Sequence, residues 1–284
     1  MHLGSIHIYP VKSGRGVDLG HADLQRQGLA GDRRWMVVDR AKRRFLTQRE
    51  IPSLALLHSE LQEDGIILTF GDVGERFVPR PTGEERTKVT IWRDEVDVAL
   101  ADEATHEALS RWLGREVQLV YQDRLERVAN AEWAGDAAPV SLADGYPCLI
   151  TTSASLRDLN SRLVYDGHEP VTMSRFRPNL VIDGAQAWAE DGWETIRVGS
   201  LMLDLVKPCA RCAITTVDPQ EGRFAGDQPL TILREMRMSA DRRVPGVLFG
   251  WNAVPRSEGR LDVGDRVEVI AHRDTDVVRS NGLS

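Results

Sequence analysis

The residues richest in chemical possibility fall in one short run, Val206-Lys207-Pro208-Cys209-Ala210-Arg211-Cys212-Ala213-Ile214-Thr215-Thr216-Val217-Asp218-Pro219. Two cysteines stand three positions apart there, with Lys207 and Arg211 close by. A neighbouring cation favours the thiolate, the form of cysteine that attacks or ligates. Several chemistries compete for such a pair. It can exchange a disulfide, although redox pairs usually open a helix in a βαβ unit and none is legible here. It can supply half of a zinc site, for which only Cys148 and seven scattered histidines remain, without ligand spacing among them. One of the two can offer a single soft thiolate to a metal that arrives with a cofactor. The plainest alternative is a buried pair, since cysteine is among the residues most often enclosed.

Other residues of the right type are scattered more widely. Lys12-Ser13, Asp32-Arg33, Arg177 before Pro178, and Asn179 could meet an anion; each alone reads as an exposed turn, an ion pair, a loop brace or a backbone partner. Ser153 and Ser155 stand where a helix begins, where backbone N–H groups also favour an anion. Asp218 before Pro219 is an ordinary turn start. Trp35, Trp92, Trp112, Trp188, Trp193 and Trp251 read as packing residues, and Cys148 as a small buried hydrophobe.

The run Arg211-Cys212-Ala213-Ile214-Thr215-Thr216-Val217-Asp218-Pro219, followed by Gly222, resembles the signature of the MOSC domain, which is named for the C-terminal part of molybdenum cofactor sulfurase. Ser155–Leu163 with Phe176-Arg177-Pro178-Asn179 resembles the middle of that domain. Tyr9-Pro10-Val11-Lys12-Ser13 with Gly31-Asp32-Arg33-Arg34-Trp35 resembles the MOSC N-terminal β-barrel domain. In this order the segments span nearly the whole chain and look like the amidoxime-reducing components and their bacterial relatives.

The resemblance implies a molybdenum cofactor, with or without a nucleotide on its pterin, and a reductase of small N-hydroxylated compounds. It makes Cys212 the metal ligand and catalytic residue, in preference to Cys209. It points to Lys12, Ser13, Arg33, Ser153, Ser155, Arg177, Asn179 and Arg211 as the residues that hold the cofactor. The chemistry suits them. Arginine offers a planar fork to phosphate or pterin, lysine a compact charge, and a thiolate suits a soft metal. One departure is Gly14, where some relatives carry a cysteine. Three cysteines cannot hold an iron–sulfur cluster, so electrons are expected from a separate ferredoxin- or flavin-type protein. A different reading makes Cys212 the residue of a carrier that delivers the cofactor or sulfur to another enzyme. Pyridoxal phosphate binding comes with the MOSC resemblance by association only, because sulfurases join the domain to a desulfurase for which this chain has no room. A third reading is a scaffold with a degenerate site.

The elements that must position these residues are mostly strands. Ser5–Val11, Arg34–Val38, Gly65–Phe70, Lys88–Trp92 and Val96–Leu100 carry β-branched and aromatic content, with glycine and proline between them. Asp102 to Leu113, closed by Gly114, reads as an amphipathic helix with an acidic cap and a left-handed stop. Val117–Tyr121 follows as a strand and 126–144 as a long loop. Pro147–Thr151 is a strand, and Ser153 or Ser155 caps a helix through Leu163. Phe176–Ile182, Ile196–Leu205 with a Gly turn at Gly199, Val247–Val254 and Arg266–Ile270 read as strands, and Leu230–Met238 as a helix. The expected fold is mainly β (α+β): a β-barrel-like domain over 1–122, a MOSC β-barrel domain with a few helices over 123–274, and a frayed tail over 275–284.

Composition sets the outer limits. With 42% apolar and 28% charged residues, 284 residues can bury one or two cores and stay soluble. A net charge of −7 makes a poor generic partner for nucleic acid. No apolar run approaches the ~20 residues of a membrane span, and the N-terminus carries no secretory pattern. An odd, small number of cysteines favours a reducing compartment, so the expected location is cytoplasmic.

Overall fold

Alternating burial along short strands sets the architecture of the computed structural model, which describes residues 1–135, 138–274 and 277–278. Strands make up 41% of the chain, and the described residues hold four helices, so the protein is mainly β. The expected fraying of 275–284 concerns residues that lie outside the described ones, apart from 277–278.

Five strands close into a barrel: Trp35–Asp39, Arg44–Phe45, Arg86–Ile91, Asp94–Leu100 and Val117–Tyr121. Closure comes from antiparallel pairing of the last with the first, Val117 opposite Asp39 and Tyr121 opposite Trp35. Both faces of Trp35–Asp39 are buried. Met36 and Val38 pack with Val89, Ile91, Val96 and Val98. Trp35 and Val37 face the other way, toward Leu54, Leu68 and Leu109. The short strand Val11–Lys12 adds in parallel beside Trp35 and Met36 and so brings Lys12 to the barrel's edge.

The second sheet has eight strands in the order Val267–His272, Trp193–Val198, Leu201–Ala210, Leu248–Pro255, Cys148–Thr152, Leu180–Asp183, His2–Ile8 and Val17–Leu19. Its last two strands come from the start of the chain, with Leu3 opposite Ile182 and Ile6 opposite Leu180. His21–Gln25 likewise pairs with Gly259–Asp262. One core therefore joins Leu3, Ile6, Ile8 and Leu24 to Ile150, Leu203, Trp251 and Leu261.

The helix Glu103–Leu113 is capped by Asp102, whose carboxylate accepts the Thr105 N–H, and it stops at Gly114 with φ 61°. Val117–Tyr121 has the expected bounds. Other elements differ from the reading of the sequence. Thr152, rather than Ser153 or Ser155, caps the helix Ser153–Tyr165, because its hydroxyl is the one that reaches the Ser155 N–H. Ile196–Leu205 turns at Gly199 as expected, and its two arms pair with each other as a hairpin. The strand expected from Phe176 begins only at Leu180, since Arg177 has φ 56° and cannot lie in a ladder. The loop 126–144 contains a short helix, Ala131–Ala134. The helix expected to reach Met238 ends at Met236.

Candidate functional site

The cysteine loop is built by its own hydroxyls. Cys209 sits near the end of strand Leu201–Ala210, and Cys212 stands just before a 3-10 turn, Ala213–Thr216. The Cys212 carbonyl accepts both the Thr215 N–H and the Thr215 hydroxyl at 3.0 Å, and Thr216 Oγ1 donates to Ala213 O at 2.8 Å. Asp218 finishes the clamp. Its Oδ1 accepts the Gln220 and Glu221 N–H groups, and its Oδ2 accepts Arg175 Nη2 at 3.2 Å. With the backbone so occupied, the Cys212 thiol is left exposed. Arg211 serves the neighbouring cysteine: Nη1 donates to Cys209 Sγ at 3.0 Å and Nη2 to Phe176 O at 2.6 Å. Lys207 faces the Trp133 and Tyr146 rings.

Cys212 opens onto a cavity of about 140 Å³ that Lys12, Ser13, Arg33 and Arg177 also line. Asn179, Arg211, Cys148 and Cys209 complete the set of sequence-marked residues around it. Ser13, Arg33 and Arg177 all have positive φ, at 66°, 48° and 56°. Each such non-glycine residue costs on the order of 1 kcal/mol and persists only where its surroundings fix it, which is a hallmark of functional sites.

The surroundings do fix them. Arg33 Nη1 binds Asp32 at 2.6 Å and Asn179 Oδ1 at 3.2 Å, while Nη2 reaches Arg177 O. Arg177 Nη1 donates to Gly14 O at 2.7 Å. Both guanidiniums stack on Tyr9, 4.5 and 4.1 Å from its ring centroid. Burial pushes the Arg177 guanidinium down to about 10, with the Arg33 charge acting the same way. Its Nη2 is buried and without a hydrogen-bond partner in the structure. An unmatched buried cationic donor is costly, and a negatively charged or carbonyl-rich ligand is what would satisfy it.

Lys12 is only 4% exposed, and its Nζ donates to Leu142 O at 2.8 Å and Asp144 Oδ1 at 2.5 Å. Burial lowers its pKa and the Asp144 charge opposes that. The Asp144 side chain is largely exposed, and what desolvation its place at the cavity brings is outweighed by Lys12, by charge and hydrogen bond, with Arg33 and Arg49 beyond, which holds its carboxyl below the usual range.

Two of the expected cofactor residues lie apart from this cavity. Ser155 Oγ donates to Glu190 and accepts the Trp188 N–H, so its hydroxyl is spent inside the fold. Ser153 Oγ accepts Arg157 Nη1 at 3.1 Å. Asn179 reaches the cavity but acts mainly as a tie, bonding Arg33, the Leu149 N–H and His7 O at once. Cys148 is buried and its thiol is pushed up to about 12, so it is inert. Sequence reasoning missed Tyr9 as the ring beneath both arginines, and Asp144. A single aspartate in an Ala-, Asp- and Gly-rich loop has no spacing to mark it. Among the described residues no group of three or more His, Cys, Asp or Glu side chains converges on a metal position. Any metal here therefore needs ligands beyond Cys212 that the described residues do not bring.

A closed barrel followed by a mostly β unit that presents one exposed cysteine from this loop defines a MOSC protein. The family model of the MOSC domain matches residues 137–268, and that of the MOSC N-terminal beta barrel domain matches residues 1–116. The chain belongs to the family of the mitochondrial amidoxime-reducing components. It is 31% identical over 283 residues to Mitochondrial amidoxime-reducing component 1 of Homo sapiens, covering 94% of this chain and 82% of that protein. Against Mitochondrial amidoxime reducing component 2 of Homo sapiens the identity is 29%, covering 93% and 82%. Molybdenum cofactor sulfurase of Oryza sativa subsp. japonica is 25% identical over 95% of this chain, which spans 35% of that longer protein.

Proposed function

We propose that this protein binds the molybdenum cofactor in the Cys212 cavity and reduces small N-hydroxylated compounds with electrons from a separate donor protein. The observation that carries the reading is the meeting, in one cavity, of an exposed thiol with a buried, unpartnered guanidinium nitrogen on Arg177. The names of the relatives support it, since they pair amidoxime reduction with molybdenum cofactor handling in one family.

The residues fit the group. Cys212 supplies one thiolate, which suffices when the cofactor brings its own sulfurs. Lys12, the Ser13 hydroxyl, Arg33 and Arg177 hold a phosphorylated pterin through charge and planar hydrogen bonding. Arg211 positions Cys209 and the Phe176 carbonyl through its two terminal nitrogens, while its buried Nε is left without a partner. When bound, the cofactor supplies the two-electron chemistry that removes oxygen from nitrogen. The chain's part is to fix the thiolate, to orient the pterin and to keep the cavity cationic. The boundary between the two domains at 122/123 and a cytoplasmic location belong to the same proposal, as does binding neither nucleic acid nor membrane; no helix among the described residues is long and apolar enough to cross one.

Protein made in a cofactor-competent host should carry about one molybdenum and one pterin per chain. Zinc, or no metal, under those conditions would sink the reading. Cys212→Ser should lose molybdenum and the reduction of benzamidoxime while keeping its circular dichroism and melting curve. Cys209→Ser should be milder, and equal losses would favour dithiol chemistry instead. The carrier reading makes the opposite prediction for the loaded protein, which would then fail to reduce any N-hydroxy compound with an artificial reductant yet pass its cofactor to an acceptor enzyme.

A further inference from the structure

The four cationic side chains that line the cavity, Lys12, Arg33, Arg177 and Arg211, face a single acidic one, Asp144. Its ion pair with Lys12 is lopsided. The Lys12 side chain is 5% exposed and enclosed, with the Phe45 ring 5.3 Å from its ammonium. The Asp144 side chain is 64% exposed. The backbone on either side is held in place: Arg127 Nη1 donates to Ser141 O and Ala143 O at 2.7 Å, and Nη2 to Asp144 O. Beyond Lys12, the described residues give the carboxylate one further hydrogen bond, a long one from Trp92 Nε1 at 3.4 Å, with the Arg33 and Arg49 charges farther off. Lys12 therefore cannot leave, whereas Asp144 can turn outward by side-chain rotation alone. Turning outward strands a buried ammonium on the Leu142 carbonyl, which is unfavourable unless another anion takes the vacated position.

We propose that Asp144 is a displaceable counter-ion, seated on Lys12 where a phosphate monoester entering the cavity replaces it. The exchange penalises every anion by the loss of one ion pair. A ligand that also fills the cavity and binds Arg33 and Arg177 recovers that loss, and a small free anion does not. Asp144 thereby lowers the occupancy of the site by inorganic phosphate, while the further contacts of a phosphorylated ligand set how much tighter that ligand binds. The inference rests on the cavity being the cofactor site, and its test is kept separate from that reading.

Full-length chain from a host unable to make the pterin is titrated with inorganic phosphate at pH 7, followed by 31P line broadening and by the rise in melting temperature. Asp144→Asn should bind phosphate up to about fivefold more tightly than wild type, the scale of one partly exposed ion pair. Asp144→Glu, which keeps the charge, should behave as wild type, and Lys12→Met added to Asp144→Asn should abolish the gain. Unchanged or weaker binding in Asp144→Asn would overturn the proposal, because the carboxylate would then serve only to keep Lys12 charged. Absence of phosphate binding in both proteins would overturn it as well. Molybdenum and pterin content from a competent host is measured in parallel. A wild type that loads no cofactor but shows the phosphate series loses the functional reading and keeps the counter-ion. A wild type that loads with a flat phosphate series loses only the counter-ion.

Discussion

Arg177 and Arg211 carry the same charge, and each leaves one buried nitrogen without a partner, Nη2 in Arg177 and Nε in Arg211. They differ at the fork: Arg211 commits both terminal nitrogens to a sulfur and a carbonyl of its own chain, while Arg177 commits only Nη1. Arg177→Lys keeps the charge but loses the fork and the flat stacking on Tyr9. Pterin retention after gel filtration should fall about tenfold or more in that variant, with little change in melting temperature. Away from the cavity, Glu190 is a buried carboxyl whose titration bears on stability. Burial pushes its carboxyl up from 4.5 to about 7, with Asp191 adding to the rise, against the Ser155 and Thr152 hydroxyls that pull it down. Because the folded protein holds this proton longer than the unfolded chain, the contribution is full below about pH 4.5 and is lost as pH rises through about 7. Urea midpoints of wild type relative to Glu190→Gln should therefore fall across that window, by up to about 3 kcal/mol in stability. A difference that does not change with pH would show that Glu190 is ionised throughout.

At the scale of elements, the cysteine loop depends on a glycine four residues past Asp218, in the turn between Val217–Asp218 and Arg223–Phe224. Gly222 has φ 61°, and a Cβ there would stand 2.7 Å from Leu56 Cγ. Leu56 ends the 3-10 turn Pro52–Leu56, so the loop is braced against the N-terminal half of the chain. Gly222→Ala should shift the loop and lower molybdenum content several-fold while the far-ultraviolet circular dichroism stays the same. The same scale shows what was legible in the sequence. The helix from Asp102 to Gly114 was readable because cap, stop and periodicity are local, and Lys12, Arg33, Arg177 and Cys212 were readable through the family resemblance. The turn at Gly199 was readable from its glycine, but the pairing of the two arms into a hairpin was not, because both carry the same β-branched content. The Thr152 cap was hidden because three hydroxyl residues in a row compete for one role. The role of Asp144 depends on a cation 132 positions away, which no local pattern encodes.

At the scale of the whole molecule, the two halves share a core. Leu3, Ile6 and Ile8 pack with Ile150, Leu180 and Trp251, and Tyr9 donates its hydroxyl to Pro178 O. A fragment of residues 123–284 lacks the strand His2–Ile8 and leaves that core open. Expressed alone, it should show no cooperative melt, and mixing it with residues 1–122 should restore one. Two independent transitions in the intact chain would contradict this. The crossing strand also has a consequence for how the chain is made. His2–Ile8 leaves the ribosome long before Leu180–Asp183, its partner on the interior side of the sheet. At roughly 5–20 residues per second, the early strand waits on the order of ten seconds or longer with its apolar face unmatched. During that interval the barrel from Trp35 to Tyr121 can already close, because all of its partners are in hand. Translation speed, and any chaperone that shelters Leu3, Ile6 and Ile8 meanwhile, should therefore govern how much of this protein reaches the state in which Lys12, Arg33, Arg177 and Cys212 meet.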